Sequence, residues 1–281
     1  HDAGGFGLTG TDNVISCGSY TGNGSSTGPE VNIGYEPQWL LIKEATQSGN
    51  SWSLYDNMRG LSVAGPSGHL RPNDSAAEDT TTIDMRPTAT GFQPISSSGR
   101  VNRSGETFIY IAIRRGPVKV PTSGTSVFEP VTRNTTGANA TVNAVITPVD
   151  LAISDDRNAI DGQGALWFDR LRGATKFLRS AGTDAEITQS DTLTSFAVQN
   201  GYTLGADAGQ YGINSSPAKP VVYWNFKRAP SFFDEVCYTG TGSARTVAHN
   251  LGVAPELMIV KRRNTAGYWL VYSATIGATK A

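Results

Sequence analysis

The chain has 281 residues, with 23 Lys and Arg against 24 Asp and Glu, a net charge of −1. That balance leaves no basic footprint for nucleic acid and no polybasic membrane patch, and no apolar run approaches the roughly 20 residues that span a bilayer. A hydrophobic content of 38% supports packed cores, while 32 glycines and 14 prolines point to many turns and few long helices.

Taken in order, residues 1–12 are glycine-rich and read as a leader from a preceding element. The opening His-Asp-Ala-Gly-Gly carries neither an initiator Met nor a signal-peptide pattern, so the sequence is expected to be a piece of something longer. From Val14 the pattern is β. Val31 and Ile33 alternate with polar neighbours, as a strand with one buried face requires. The runs Trp39–Ile42 and Phe108–Ile113 are continuously apolar, which predicts central strands buried on both faces. Asn23-Gly24 is a favourable pair for a type I′ turn, so that residues 20–43 read as an entry hairpin followed by a central strand. Residues 118–126 (Val-Lys-Val-Pro-Thr-Ser-Gly-Thr-Ser) read as a linker. Leu166–Leu178, the best helical candidate, is interrupted by Gly173 and reads as two strands.

The chain repeats itself. Tyr20-Thr-Gly-Asn-Gly returns as Tyr238-Thr-Gly-Thr-Gly, and Trp39-Leu-Leu-Ile-Lys43 as Leu257-Met-Ile-Val-Lys261; Tyr20 to Pro37 and Tyr238 to Pro255 are both 17 residues. A more diverged copy lies between. Tyr55-Asp-Asn-Met-Arg-Gly60 matches Phe168-Asp-Arg-Leu-Arg-Gly173, and Tyr110–Pro117 matches Tyr223–Pro230, both at an offset of 113. Gly91-Phe92 matches Gly201-Tyr202 and Asn102 matches Asn214, while Ser154 counts as the match of Lys43. Internal periodicity of this kind defines the architecture. The expectation is an all-β chain of tandem, jelly-roll-like β-sandwiches. Repeat 1 spans 13–117, repeat 2 spans 127–230, and 231–281 holds the first half of a third. That half would expose Leu257, Met258, Ile259, Val260 and Trp269, and is expected to be completed by residues past Ala281 or by a partner chain.

A residue type found in every copy serves the fold, whereas one confined to a single copy is where a site would lie. Asp56…Arg59-Gly60 and Asp169…Arg172-Gly173 therefore read as a turn-fixing ion pair followed by a Gly accepting φ > 0, rather than as an acid–cation catalytic pair. Tyr-Thr-Gly-Asn-Gly lacks the Lys and helix of a phosphate loop. Asp150–Gly164 reads as an acidic loop without EF-hand spacing; Glu78-Asp79 and Asp184…Glu186 read as solvated loop charges. The histidines (His1, His69, His249) have no metal-ligand spacing, Ser has no nucleophile elbow, and Cys17 and Cys237 have no CxxC spacing and read as small strand residues. No catalytic residue, metal or cofactor is indicated, and no binding residue is fixed. Tyr35, Tyr202 and Tyr211 beside loop glycines are the sugar-stacking candidates, although Tyr202 matches Phe92 and so also reads as packing. The five tryptophans read as core or half-buried packing.

Gly18-Ser-Tyr-Thr-Gly-Asn-Gly24, Gly34-Tyr-Glu-Pro37 leading into Trp39–Lys43, Trp52-Ser-Leu-Tyr-Asp56 and Arg59-Gly60 together resemble a repeated domain of bacteriophage tail and tail-fibre proteins. The resemblance implies a virion component of the distal tail, fibre or spike, located outside the host cell. It further implies a homo-oligomer, a trimer being favoured, with other tail proteins and a host-surface glycan as partners. It implies no catalytic residues. The alternatives are a secreted carbohydrate-binding or adhesin module and, needing spatially paired carboxylates, a glycan depolymerase.

Overall fold

The computed structural model describes residues 13–116, 119–158, 162, 164–208 and 211–277; the glycine-rich start at 1–12 lies outside them. Two compact units are formed. One carries the first repeat together with residues 234–250, the other the second repeat together with the residues from 251 onward.

The first repeat has eight strands: β1 (Ile15–Thr21), β2 (Val31–Asn32), β3 (Pro37–Glu44), β4 (Ser53–Asp56), β5 (His69–Leu70), β6 (Met85–Thr88), β7 (Gly91–Pro94) and β8 (Thr107–Arg114). They form two antiparallel sheets, in the orders β1-β8-β3-β4-β5 and β2-β7-β6. The second repeat has β9 (Phe128–Asn134), β10 (Ala140–Asn143), β11 (Leu151–Asp156), β12 (Leu166–Asp169), β13 (Lys176–Arg179), β14 (Ile187–Thr188), β15 (Leu193–Ser195), β16 (Gly201–Leu204) and β17 (Pro220–Phe226). Its sheets run β14-β13-β12-β11-β17-β9 and β10-β16-β15, the same order with one strand added at the edge. Hydrogen-bonded order is independent of sequence matching, so the tandem all-β sandwich stands on two separate grounds. A hairpin, β18 (Leu257–Lys261) with β19 (Trp269–Ser273), follows. A single short 3₁₀ turn, Gly124–Ser126, occupies the expected linker, and no helix among the described residues is long and apolar enough to cross a membrane.

Alternation builds each core. Leu40 and Ile42 from β3, Tyr55 from β4, Phe92 from β7, and Phe108 and Ala112 from β8 converge on one cluster. Ala152, Leu166, Phe168, Phe177, Tyr202 and Tyr223 do the same in the second repeat. Each of the leucines, isoleucines and phenylalanines among them contributes about 1.5–3 kcal/mol when fully buried. The continuous apolar runs do not make strands buried on both faces, however: Ile109 and Ile111 of β8 point to solvent, and Trp39 and Leu41 of β3 are half-buried. The sandwich covers each sheet on one face, so the period is 2 even where every residue is apolar.

Residues 20–31 are also not a hairpin. β1 pairs with β8, and β2 with β7, so the segment crosses from one sheet to the other. Asn23 lacks the positive φ that a type I′ turn demands. Asn102 holds the crossing instead. Its amide nitrogen donates to Asn23 Oδ1 (3.0 Å), Ser25 O (2.7 Å) and Ser96 O (3.0 Å), and its Oδ1 accepts from the Asn23 backbone N (2.9 Å). Asn214 repeats the device on Ala138 O (2.7 Å) and Gly205 O (2.6 Å). Gly91 and Gly201 are matched for another reason: a Cβ on them would stand 1.8 Å from Val31 O and 1.9 Å from Val142 O, so only Gly allows the strands to pair there.

Candidate functional site

The Asp-x-x-Arg-Gly motif occupies the turn after β4 and after β12. Asp56 Oδ1 accepts from the backbone N of Met58 (3.0 Å) and Arg59 (2.9 Å), and Arg59 Nε donates to Asp56 Oδ2 at 2.6 Å. In the second repeat Asp169 Oδ1 accepts from Arg172 N at 2.6 Å, and the Arg172 guanidinium pairs with Asp169 Oδ2. Gly60 and Gly173 take φ of +117° and +92°, as expected. Each Arg also reaches a Glu, Arg59 to Glu78 and Arg172 to Glu186. Glu186 and Asp79, the latter near Arg71, are therefore part of the scaffold rather than solvated loop charges, whereas Glu78 and Asp184 stay exposed as expected although they reach Arg59 and Arg179.

Strand pairing corrects one match. Ile42 lies opposite Tyr110 and Ser53, and Ser154 lies opposite Tyr223 and Leu166. Ser154 thus replaces the buried Ile42, and Asp155 takes the place of Lys43. The acidic stretch changes character too. Leu151–Asp156 is a strand; the buried Asp150 carboxylate accepts from Arg228 N at 2.7 Å, and Asp156 faces Lys219 at 3.6 Å. Asp161 lies outside the described residues. Cys17 is on β1 as expected, whereas Cys237 is in no strand.

The sugar-stacking candidates are committed to packing. Tyr35 is buried, with its hydroxyl donating to Ala112 O at 3.1 Å and Arg114 5.8 Å from its ring centroid. The Tyr202 hydroxyl donates to Asn225 Oδ1 at 3.0 Å inside the core. Tyr211 meets Phe177 edge-on, with centroids 4.8 Å apart.

Superposing the repeats by strand pairing shows where they differ. Tyr55 lies opposite His69 as Phe168 lies opposite Phe177. His69 bridges to Asp79 as Phe177 pairs with Ile187. Asp84 O accepts from Ile95 N as Thr192 O accepts from Gly205 N. Arg100, two residues before the shared Asn102, stands where the second repeat has Gly212. An apolar patch in one copy is thus a charged, titratable cluster in the other.

This cluster is the candidate site. Arg100 Nη2 donates to Asp84 Oδ2 at 2.8 Å and approaches Asp79 at 4.0 Å through Nη1. His69 lies 5.5 Å from the Tyr55 ring and shows no exposure to solvent. Both its ring nitrogens, Asp84 Oδ1 and Arg100 Nε are buried with no protein hydrogen bond. Buried polar atoms of this kind are normally satisfied by ordered water or a small polar ligand. Burial and the nearby Arg100 cation push the His69 pKa down, while Asp79 and Asp84 partly oppose them. Burial, then the Asp84 charge, pushes the Tyr55 hydroxyl up. Hydrogen bonds from the Thr82 hydroxyl and the Thr81 backbone N hold Asp79 well below the usual carboxylate range. The site thus sets an imidazole whose protonation is disfavoured beside the Asp84–Arg100 pair. Among the described residues no group of three or more His, Cys, Asp and Glu could hold a metal ion. His69 alone in the sequence gave little signal; its significance rests on Phe177, opposite the same place in the matched sheet.

A second notable surface is the β18–β19 hairpin. Leu257, Met258, Ile259 and Val260 are exposed, as expected from the half-repeat. Trp269 is not. Its ring packs on Trp167 with centroids 5.2 Å apart, and its Nε1 donates to Arg179 O at 3.1 Å. Arg263 adds a two-pronged bond to Glu186, at 2.8 and 3.1 Å.

Fold and repeated contacts define a tandem β-sandwich protein. Residues 14–117 and 123–281 match a family described as a domain of unknown function, DUF7483, and the chain belongs to that family. No curated protein and no solved structure matches.

Proposed function

We propose that the chain is a structural component of a bacteriophage tail, a fibre, spike or distal-tail protein, in which tandem β-sandwiches carry an adhesive surface to the host. The observation that supports this most is the division of labour between the repeats. Structural contacts (Asp56–Arg59 and Asp169–Arg172, Asn102 and Asn214, Gly91 and Gly201) recur in both. A frame kept constant while its other positions diverge suits a stalk whose modules are interchangeable in structure and distinct in what they meet. The sequence resemblance to tail proteins supplies the biological setting. The expected assembly is a homo-oligomer, a trimer, joined to other tail proteins and bound to a glycan of the host surface.

Immunogold electron microscopy with antibody raised against the full chain tests the placement: label on the tails of virions that encode it supports the reading, and unlabelled virions refute it. A glycan array and a host-adsorption competition then test adhesion. Glycan binding by a chain absent from virions would favour the secreted carbohydrate-binding module instead.

A further inference from the structure

Alternation turns one face of the first repeat's larger sheet outward. Ile15 of β1, Ile109 and Ile111 of β8, Leu41 of β3, Leu54 of β4 and Leu70 of β5 share it through direct cross-strand pairing. Ile15, Ile109 and Ile111 are 58%, 44% and 39% exposed. An apolar face spread over five strands marks an interaction surface. The matched face of the second repeat is covered. Leu178 stands opposite Trp167 as Leu70 stands opposite Leu54, yet Leu178 is 7% exposed and Leu70 38%. Trp269 packs on Trp167, and its Nε1 reaches Arg179 O beside Leu178. Phe233 lies against Phe226 of β17, with centroids 5.6 Å apart. Trp269 pairs with Lys261, which matches the outward Lys43. The contact therefore sets the outward face of one repeat pattern against the outward face of another.

We propose that the outward face of the first repeat is the surface through which copies of this chain associate, like face against like face. Three observations select a second copy as the occupant. Outward faces already pack on one another within the chain, at Trp269 and Trp167, so the face is complementary to its own kind. The second repeat's outward face is taken by β19 and Phe233, so among the described residues no complete outward face is left in the chain to meet the first repeat's. Size agrees too. Strands of 7, 8 and 8 residues with two shorter ones make a face of roughly 450 Å² at the usual strand spacing and rise. Two such faces remove about 900 Å² before side-chain relief is counted, close to the roughly 1,000 Å² at which specific interfaces begin. Two faces can stack about 10 Å apart, and three can turn toward one axis. The surface shares with the proposed tail role only the homo-oligomer, and rests on that reading for nothing else.

The test uses the full chain and its own Cys17, exposed on the same face opposite Ile111. Sedimentation from about 1 to about 200 µM gives the mass, a range that brackets the affinity of a small interface. Peptide mass spectrometry gives the rate at which N-ethylmaleimide labels Cys17. The mass is expected to rise with concentration while Cys17 labelling slows by about tenfold. Ile111→Glu and Ile109→Glu, each at an outward position, should keep the chain monomeric and Cys17 labelled at the dilute rate, with far-UV circular dichroism showing that they fold. A monomer at every concentration overturns the proposal. So does an oligomer in which Cys17 labels at the dilute rate, or one that persists in both folded variants. Slow labelling in the dilute monomer also overturns it, since the chain would then cover the face itself. None of these outcomes bears on the labelling of virions, so the tail placement stands or falls separately.

Discussion

One motif in two environments gives a quantitative prediction. The Asp–Arg pair after β4 is partly wet, with side chains of Arg59 and Asp56 22% and 20% exposed, whereas those of Arg172 and Asp169 are 4% and 1% exposed. Asp56→Ala removes two backbone hydrogen bonds and a half-solvated ion pair, and water can reach the groups left behind. The expected cost is about 1–2 kcal/mol. Asp169→Ala leaves the Arg172 cation inside the protein without its closest carboxylate, Glu186 standing farther off at 3.5 Å. Removing one partner of a buried pair costs about 3–5 kcal/mol, so the second variant should lose roughly 2 kcal/mol more than the first. Peptide-resolved hydrogen exchange on the full chain reads each repeat separately. A 2 kcal/mol excess appears as a roughly 30-fold larger acceleration of the slowest amides in β11–β12 than in β3–β4. Equal costs, or a larger cost for Asp56→Ala, would refute the view that identical sequence motifs are weighted by their burial. Asp169→Asn, which keeps an acceptor for the turn, should recover part of the loss.

Between pH 7.5 and 5, acid should act on the first repeat through His69. Because the folded His69 pKa is depressed, the unfolded chain takes up the proton first. The stability His69 contributes is therefore present above its unfolded pKa of about 6.5 and is lost as pH falls below it. Melts between pH 7.5 and 5 should show the first repeat weakening while the second, with Phe177 at that place, holds; His69→Phe should flatten the slope, and an unchanged slope would refute it. Asn102→Ala should cost about 2–4 kcal/mol by breaking the clamp on Asn23, Ser25 and Ser96, measured as faster exchange in the first repeat, with Asn214→Ala doing the same only in the second. Gly91→Ala should destabilise by at least about 2 kcal/mol because the new methyl collides with the Val31 carbonyl, which a urea midpoint will show. Trp269→Ala should cost about 2 kcal/mol of hairpin docking through the lost ring contact and Arg179 bond, seen as accelerated exchange confined to residues 257–273.

The candidate site was far less legible than the frame around it. His69 is one of three histidines scattered along the sequence, and nothing in its spacing distinguishes it. What marks it is partnership between residues distant in the chain: Tyr55 from the neighbouring strand β4, Asp79 bridged to β5, and Asp84 and Arg100 from loops of the same repeat. Tyr35, Tyr202 and Tyr211 show the converse. A glycine neighbour suggested exposure, but long-range hydrogen bonds and ring contacts return each of them to packing. The exposed apolar run of β18 was legible, because its match to β3 marks residues that a second sheet buries in the first repeat.

By itself, the sequence determined the repeat, the all-β class, the Asp-x-x-Arg-Gly turn and the need for glycine at residues 60 and 173. These follow from local chemistry and from period, which chain order records. Only the tertiary structure decided that β1 pairs with β8 rather than with its sequence neighbour, that Ser154 replaces Ile42 rather than Lys43, and that Trp269 docks on Trp167. It also decided that the charged cluster around His69 and the aromatic patch around Phe177 are the same place in two modules. The physical reason is common to all four. Strand pairing joins residues far apart in the chain, and pairing, not distance along the chain, sets which side chains share a face.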